Sequence, residues 1–461
     1  MDVPETRYAR APDGAWIAFQ VFGSGPVDVL LVPGSFTNLD ENWRFEEIAD
    51  VQRRVASFAR VIVVDRRGLG LSDRLAPGTT EPLEAHVDDL LAVLDAVQAR
   101  RVCIFACETG ASLAVLFAAS YPERTQALAL FLWWPVFPGE TTKSEWDDRC
   151  ARWAEQWGLA FARYDLEYWA PSVAGDEQMV ARWARYLRSV ASPGSALAIF
   201  DSWWSTDVRR IYGAVQAPTL LLNRPDFREG HVTAQFVAEA VAALPDATAV
   251  DLTGRDGYYF LGDRQELAAT LEAFFTGSRS ATASTTGRAL TTVLFTDLVG
   301  STERAAALGD RAWADLLHDH RAIVRSALAR HRGREVDNAG DGFLATFDGP
   351  ARAVRAALEA STAVEESLDI AIRAGVHTGE VELDGSGVRG IAVHVGARIG
   401  ALAEPGEVLV SSTVRDLTAG SGLVFSDLGE HRLKGVPDPW RLYRAALGGD
   451  PRQGSRPTLG E

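Results

Sequence analysis

Short apolar runs alternate with amphipathic stretches through the first half of the chain. Val29–Val32, Val61–Val64, Val102–Phe105, Ala127–Leu132, Thr219–Leu222 and Ala247–Leu252 are the expected strands. Strands separated by helical patterns argue for a mostly parallel sheet with helices on both faces, an α/β architecture. The pattern changes after Arg288. Val293–Phe295 predicts a buried strand, and Arg334–Asp337 with Gly342–Phe347 predicts a hairpin turning at Asn338–Asp341. Asp310–His331 reads as a helix with Trp313, Leu316, Leu317, Ile323, Val324 and Leu328 on one face, stopped by Gly333. A second helix is expected at Ile391–Leu402, with Ile391, Val395, Ile399 and Leu402 as its buried stripe. This half reads as α+β.

Between the halves, Gly277–Arg288 is small, polar and without apolar period, which marks a linker. The expected domains are therefore 1–277 and 289–447, joined by 278–288 and followed by a tail at 448–461. A chain of 461 residues is too long for one ordinary domain, and 47% hydrophobic residues suffice for two real cores. Net charge is −16 and no Lys/Arg cluster appears, which argues against nucleic acid or anionic membrane as partners. Cys103, Cys107 and Cys150 have neither metal-ligand spacing nor a disulfide framework. Met1–Arg10 is too polar for a signal peptide, and no apolar run approaches spanning length. A cytoplasmic protein is expected.

Candidate chemistry concentrates in the second half. F-T-D-L-V-G-S-T at Phe295–Thr302 ends a strand with Asp297, and G-D-G at Gly340–Gly342 sets Asp341 in the hairpin turn. Either carboxylate alone would be an ordinary cap. Together, beside a small-residue loop with free N–H groups, they suit divalent cations carrying a nucleotide. The segment resembles the catalytic domain of the class III nucleotidyl cyclases, over about Ala289–Leu447. G-V-H-T-G-E at Gly375–Glu380, I-A-V-H-V-G-A-R at Ile391–Arg398 and G-E-H-R-L-K-G-V at Gly429–Val436 extend the match.

The resemblance implies a ferredoxin-like βαββαβ core and a head-to-tail homodimer with its sites at the subunit interface. It implies two Mg²⁺ or Mn²⁺ per site, held by Asp297 and Asp341, with the loop Leu298, Val299, Gly300, Ser301 and Thr302 cradling phosphate. His394, where the family usually has Asn, and Arg398 would come from the opposite subunit, His394 orienting the ribose and Arg398 neutralising the α-phosphate. Taken alone, those two read as a solvated helix face. Lys434 would bind phosphate. Adenylyl cyclases place a Lys and an Asp to read adenine, where this chain has Asp337 and Gly387. Asn338 or Asp384 is the substitute reader, and the substrate is ATP with GTP as the alternative. His377 and Glu380 receive no chemistry; His318, His320 and His331 read as structural or exposed. A nucleotide-binding protein without turnover is the non-enzyme alternative.

In the first half, V-P-G-S at Val32–Ser35, D-R-R-G-L-G-L-S-D at Asp65–Asp73 and Y-P-E-R at Tyr121–Arg124 resemble the α/β-hydrolase fold. The match spans about Ala11–Gly277, with a helical cap near 134–212. Nine of the thirteen Trp fall between Trp133 and Trp204, as packing for the cap or as an aromatic pocket. A hydrolase of this fold needs a nucleophile, an acid and a His in chain order. The nucleophile's place holds Glu108, the acid's place Asp226, and the His falls at Gly257, in a loop without any His. Without an imidazole neither Ser nor Cys is activated in the usual way, so an active esterase is disfavoured. A pocket with an acidic floor is expected to remain, able to hold a small-molecule ligand as a sensor. Hydrolase-like domain followed by cyclase resembles a mycobacterial type of adenylyl cyclase.

Overall fold

A computed structural model of the chain describes residues 3–34, 36–75, 79–135, 142–228, 230–277, 287–337, 340–383 and 387–448. Most of the expected linker, Asn338, Asp384 and the tail from 449 onward lie outside these residues. The chain divides into two compact units, Met1–Thr285 and Thr286–Glu461.

The first unit is built on β1 (Arg7–Arg10), β2 (Trp16–Phe22), β3 (Val27–Val32), β4 (Ala59–Val64), β5 (Val102–Cys107), β6 (Thr125–Phe131), β7 (Thr219–Asn223) and β8 (Ala247–Asp251), in the order β1-β2-β4-β3-β5-β6-β7-β8. From β4 onward every neighbouring pair is parallel. The unexpected β1–β2 hairpin adds an antiparallel edge, Phe19 pairing with Val64. Strands β4 and β5 are almost wholly buried, as a sheet covered on both faces requires. A cap of four helices, Lys143–Glu155, Leu159–Trp169, Glu177–Val190 and Pro193–Ser205, interrupts the passage from β6 to β7. Its tryptophans are chiefly packing. Trp146 and Trp183 are each 1% exposed, and burying a side chain of this size is worth at least about 1.5–3 kcal/mol.

The second unit contains β9 (Arg288–Leu298), β10 (Arg334–Asp337), β11 (Phe343–Phe347), β12 (Ile372–Leu383), β13 (Val388–Arg389), β14 (Val408–Ser411), β15 (Leu423–Arg432) and β16 (Pro439–Leu447). Their order is β10-β11-β9-β12-β14-β16-β15, with β13 paired to β12. Helix Asp310–Arg330 follows β9 and helix Pro350–Leu368 follows β11, so β9 to β12 trace the expected ferredoxin-like βαββαβ core.

Two details depart from the pattern read in the sequence. Ile391 and Leu402 are 56% and 44% exposed; the buried stripe of helix Ile391–Leu402 is Ala392, Val395, Gly396, Ile399 and Gly400. The reason is backbone contact. A Cβ on Gly375 of β12 would stand 2.1 Å from Gly400 N, so the glycine face lies against the sheet and the flanking apolar residues turn outward. His320 occupies the core stripe of helix Asp310–Arg330, fully buried, while His318 is exposed.

Candidate active site

In the first unit, β5 enters helix Glu108–Ser120 through a turn so sharp that Glu108 adopts φ 49°. Holding a non-glycine residue there costs of order 1 kcal/mol, so the strained elbow of a hydrolase persists with a carboxylate at its tip. Gly110 lets the helix approach β3, since a Cβ there would meet Pro33 O at 2.4 Å. The Glu108 carboxylate leans over Gly34, its Oε2 2.5 Å from where a Cβ would stand. Above it Trp183, Tyr186, Tyr258 and Phe260 close the space to about 20 Å³, room for one water. The expected acidic-floored pocket is therefore corrected: aromatics of the cap and of the loop after β8 fill it.

The neighbouring groups are buried as well. Cys107 is 1% exposed and burial pushes its thiol well above the usual range. Ser112 accepts a hydrogen bond from Trp133 Nε1 at 3.1 Å. At Gly257 a Cβ would stand 2.4 Å from Trp169 Cε3 and 2.9 Å from two Phe227 ring carbons, and its N–H donates to the Trp169 carbonyl at 2.6 Å. The cap tryptophan occupies the space beside the place where the catalytic His would stand. Asp226 is exposed; the buried carboxylate of this region is Asp256, which accepts from Ser172 N at 3.0 Å and Ser172 Oγ at 2.6 Å. Arg224 donates to the carbonyls of Asp256, Tyr258 and Leu261 and so fixes the loop.

In the second unit, strand register assembles the acidic edge. β11 pairs antiparallel with β9, Phe343 facing Thr296, so Gly342 falls opposite Asp297 and Asp341 one residue beyond. β12 pairs with the other side of β9 and sets Arg373 opposite Asp297. Arg373 grips that carboxylate twice, Nη2 at 2.5 Å and Nε at 3.1 Å from Oδ2, with both side chains partly exposed. A cleft of about 320 Å³ opens here, lined by Asp297, Arg373, Phe295, Asp337, Ala397 and Gly400, among others. A bulge between Glu335 and Asp337 sets Asp337 beside Leu344, which also lines the cleft.

The phosphate loop is shorter than its sequence suggests. Leu298 is the buried last residue of β9, and Val299 N donates to the Ala371 carbonyl at 3.1 Å, so the Val299 N–H is already taken. Ser301 and Thr302 open a helix, Ser301–Leu308, behind Gly300 at φ 68°. Its first-turn N–H groups lack intrahelical acceptors, as at any helix start. His394 and Arg398 are exposed on helix Ile391–Leu402 and do not line their own chain's cleft. Lys434 is exposed between β15 and β16, and Gly387 is half-buried before β13. Asp297, Asp341 and Asp337 thus share one edge, with Leu298–Thr302 following directly on Asp297, while His394, Arg398, Lys434 and Gly387 do not line the cleft.

Arg373 was missed in the sequence; its signal is a cation two residues before Gly375 at the start of an apolar strand. His320, read as structural or exposed, is structural: it is buried, and Leu316, His320, Val324 and Leu328 recur at helical spacing. Burial pulls His320 down to about 4, although the nearby Asp341 acts to raise it, and among the described residues neither ring nitrogen has a hydrogen-bond partner. Among the described residues no three His, Cys, Asp or Glu side chains converge as a metal site. Two carboxylates at a cleft still fit Mg²⁺, which takes one or two protein carboxylates and fills its shell with phosphate oxygens and water.

The comparisons agree with this division. The description "Adenylate and Guanylate cyclase catalytic domain" matches residues 286–444, and "alpha/beta hydrolase fold" matches residues 29–222. A putative adenylate cyclase of Rhizobium meliloti is 29% identical over 164 residues, covering 34% of this chain and 28% of the relative. A pH-sensitive adenylate cyclase of Mycobacterium tuberculosis is 31% identical over 186 residues, covering 38% of this chain and 46% of the relative. The chain thus spans less than half the length of these curated relatives. A hydrolase from Pseudomonas aeruginosa superposes with a TM-score of 0.51 at 21% identity, covering 59% of this chain and 98% of that one, a likeness of fold. The second unit is an adenylate and guanylate cyclase catalytic domain of the class III type, joined to a first unit with the α/β hydrolase fold.

Proposed function

We propose that this chain is a cytoplasmic, homodimeric, metal-dependent nucleotidyl cyclase that converts ATP to 3′,5′-cyclic AMP and pyrophosphate. The observation that carries the reading is the register of β9, β11 and β12, which sets Asp297 and Arg373 on one cleft and leaves Asp341 at the same sheet edge, next to Gly342 in its lining. In the reaction the ribose 3′-oxygen bonds to the α-phosphorus while the bond from that phosphorus to the pyrophosphate oxygen breaks. Asp297 and Asp341 would hold two Mg²⁺ or Mn²⁺, which supply hydroxyl activation and offset the triphosphate charge. Arg373 balances Asp297 before substrate arrives and is placed to meet the triphosphate oxygens. Ser301 and Thr302 offer first-turn N–H groups to the same phosphates. Arg398 and His394 of the second subunit would complete the site, Arg398 opposing charge that grows on the α-phosphate, with Lys434 on the leaving phosphates.

Asp337 favours a second reading of the base. Its carboxylate lines the cleft and can accept from adenine N6–H₂ or from guanine N1–H and N2–H₂. GTP is therefore the competing substrate. The first unit acts as a sensor without hydrolytic chemistry, because Gly257 has no room for a side chain and Cys107 is buried. Purified protein given ATP or GTP with Mn²⁺ or Mg²⁺ should release cyclic nucleotide and pyrophosphate. Asp297→Ala and Asp341→Ala should each lose that product while remaining folded. Near wild-type turnover in either variant at saturating metal rejects the two-metal assignment.

A further inference from the structure

The first unit contains a second and larger cavity, about 470 Å³, within the usual range for small-molecule sites. Arg66, Arg74 and Arg188 line it, together with apolar Leu69, Ala198 and Ile199. Arg66 decides its character. It is 8% exposed, and among the described residues its Nε has no hydrogen-bond partner while Nη1 donates to Thr109 Oγ1 at 3.1 Å. Burial pulls it down to about 10, which leaves it a cation at neutral pH. Among the described residues no carboxylate stands at ion-pair distance from Arg66, Arg74 or Arg188. Asp89, the nearby acid, is taken by Arg67 at 2.6 Å. Arg74 spends its donors on the carbonyls of Gly68, Gly70 and Val190, which leaves its charge unbalanced. One acid, Glu81, lines the cavity.

A buried cation without an anion is costly, because burial strips its hydration and no partner charge replaces it. The cap adds to the same polarity. Helix Pro193–Ser205 begins at this cavity, its N-cap Ser192 and residues Gly194 and Ser195 lining it, so its positive end opens there.

We propose that this cavity binds a small organic anion, its carboxylate or phosphate seated among Arg66, Arg188 and the helix start and its apolar part against Leu69 and Ile199. The anion would lie beside Thr109, the residue after the elbow, and not over Glu108. This names the ligand class of the proposed sensor, and direct binding is measured so that its failure stays separate from failure of the cyclase reading.

Isothermal titration of the full chain with octanoate and with octyl phosphate tests it, with 1-octanol and octylammonium as uncharged and cationic controls. At least one anion should bind, its affinity falling with salt, and both controls should bind about tenfold more weakly or not at all. The two anions distinguish a carboxylate site from a phosphate site. Arg66→Gln should abolish binding; because that side chain is buried, Arg188→Glu serves as the variant that keeps the fold and should weaken binding by about tenfold or more. Equal binding of octanol, no heat from either anion at millimolar concentration, or unchanged affinity in a folded Arg188→Glu protein each overturns the proposal.

Discussion

Replacing Gly257 with Ala asks whether the place of the missing histidine is truly closed. The added Cβ would stand 2.4 Å from Trp169 Cε3 and 2.9 Å from two Phe227 carbons, closer than carbon atoms approach without displacement. Trp169 cannot yield freely, because it stacks on Phe227 at 5.5 Å and its carbonyl accepts the Gly257 N–H. Overpacking of this kind costs about 1–3 kcal/mol. Gly257 is not among the positive-φ glycines, so Ala suits its backbone and recovers about 0.4–1 kcal/mol by restricting the unfolded chain. The expected net loss is about 1–2 kcal/mol. In a Trp169→Ala background the 2.4 Å contact is gone and only the Phe227 contacts at 2.9 Å remain, so the same substitution should cost less, a coupling of about 1 kcal/mol or more. Denaturant unfolding followed by tryptophan fluorescence reports chiefly on the first unit, where nine of thirteen Trp lie between Trp133 and Trp204. A neutral Gly257→Ala, or an equal cost with and without Trp169, would refute the argument that a histidine has no room there.

Mixing Asp297→Ala with Arg398→Ala protein should restore cyclase activity through one composite site per heterodimer; no recovery despite demonstrated subunit exchange rejects the shared site. Arg373→Ala should lower kcat/KM about tenfold or more, read from initial rates at saturating metal, and an unchanged value removes Arg373 from the triphosphate. Burial holds His320 near about 4 and His377 near about 3 against an ordinary 6.5. The unfolded chain therefore takes up protons first, and the second unit should lose roughly 2 kcal/mol per histidine between pH 7.5 and pH 5. Denaturant titrations at both pH values measure this, and His320→Leu should remove about half the difference; a flat profile contradicts the assignment. Asp337→Lys with Gly387→Asp should raise the ATP-to-GTP ratio of kcat/KM, since each added base contact is worth about 1–3 kcal/mol. A wild type already selecting ATP by about a thousandfold would show that another residue reads the base.

Apolar periodicity and turn residues located the strands from β3 to β8, helices Asp310–Arg330 and Ile391–Leu402, and the hairpin carrying Asp341, but not helix Pro350–Leu368 of the cyclase core. For β3 to β7 and helix Asp310–Arg330 it worked because they bury apolar faces, and the period of such a face is a local property of the chain; β8 was found although it is mostly exposed. Local chemistry likewise marked Glu108 and Gly257 as departures from a hydrolase triad and Asp297 with Asp341 as a carboxylate pair. Elements with little apolar burial escaped: β1 lies at an exposed edge, and helix Ser301–Leu308 has no buried residue to give it a period. Arg373 entered the site only through the pairing of β12 with β9, a contact between residues 76 apart that no local pattern encodes. The outward turn of Ile391 and Leu402 depended on Gly375 meeting Gly400 backbone to backbone. Trp169 closing on Gly257, and three arginines converging with no carboxylate of the described residues at ion-pair distance, arose where cap and sheet met. Sequence pattern reports which side chains want burial; tertiary structure decides what they are buried against, because that depends on packing between segments distant along the chain.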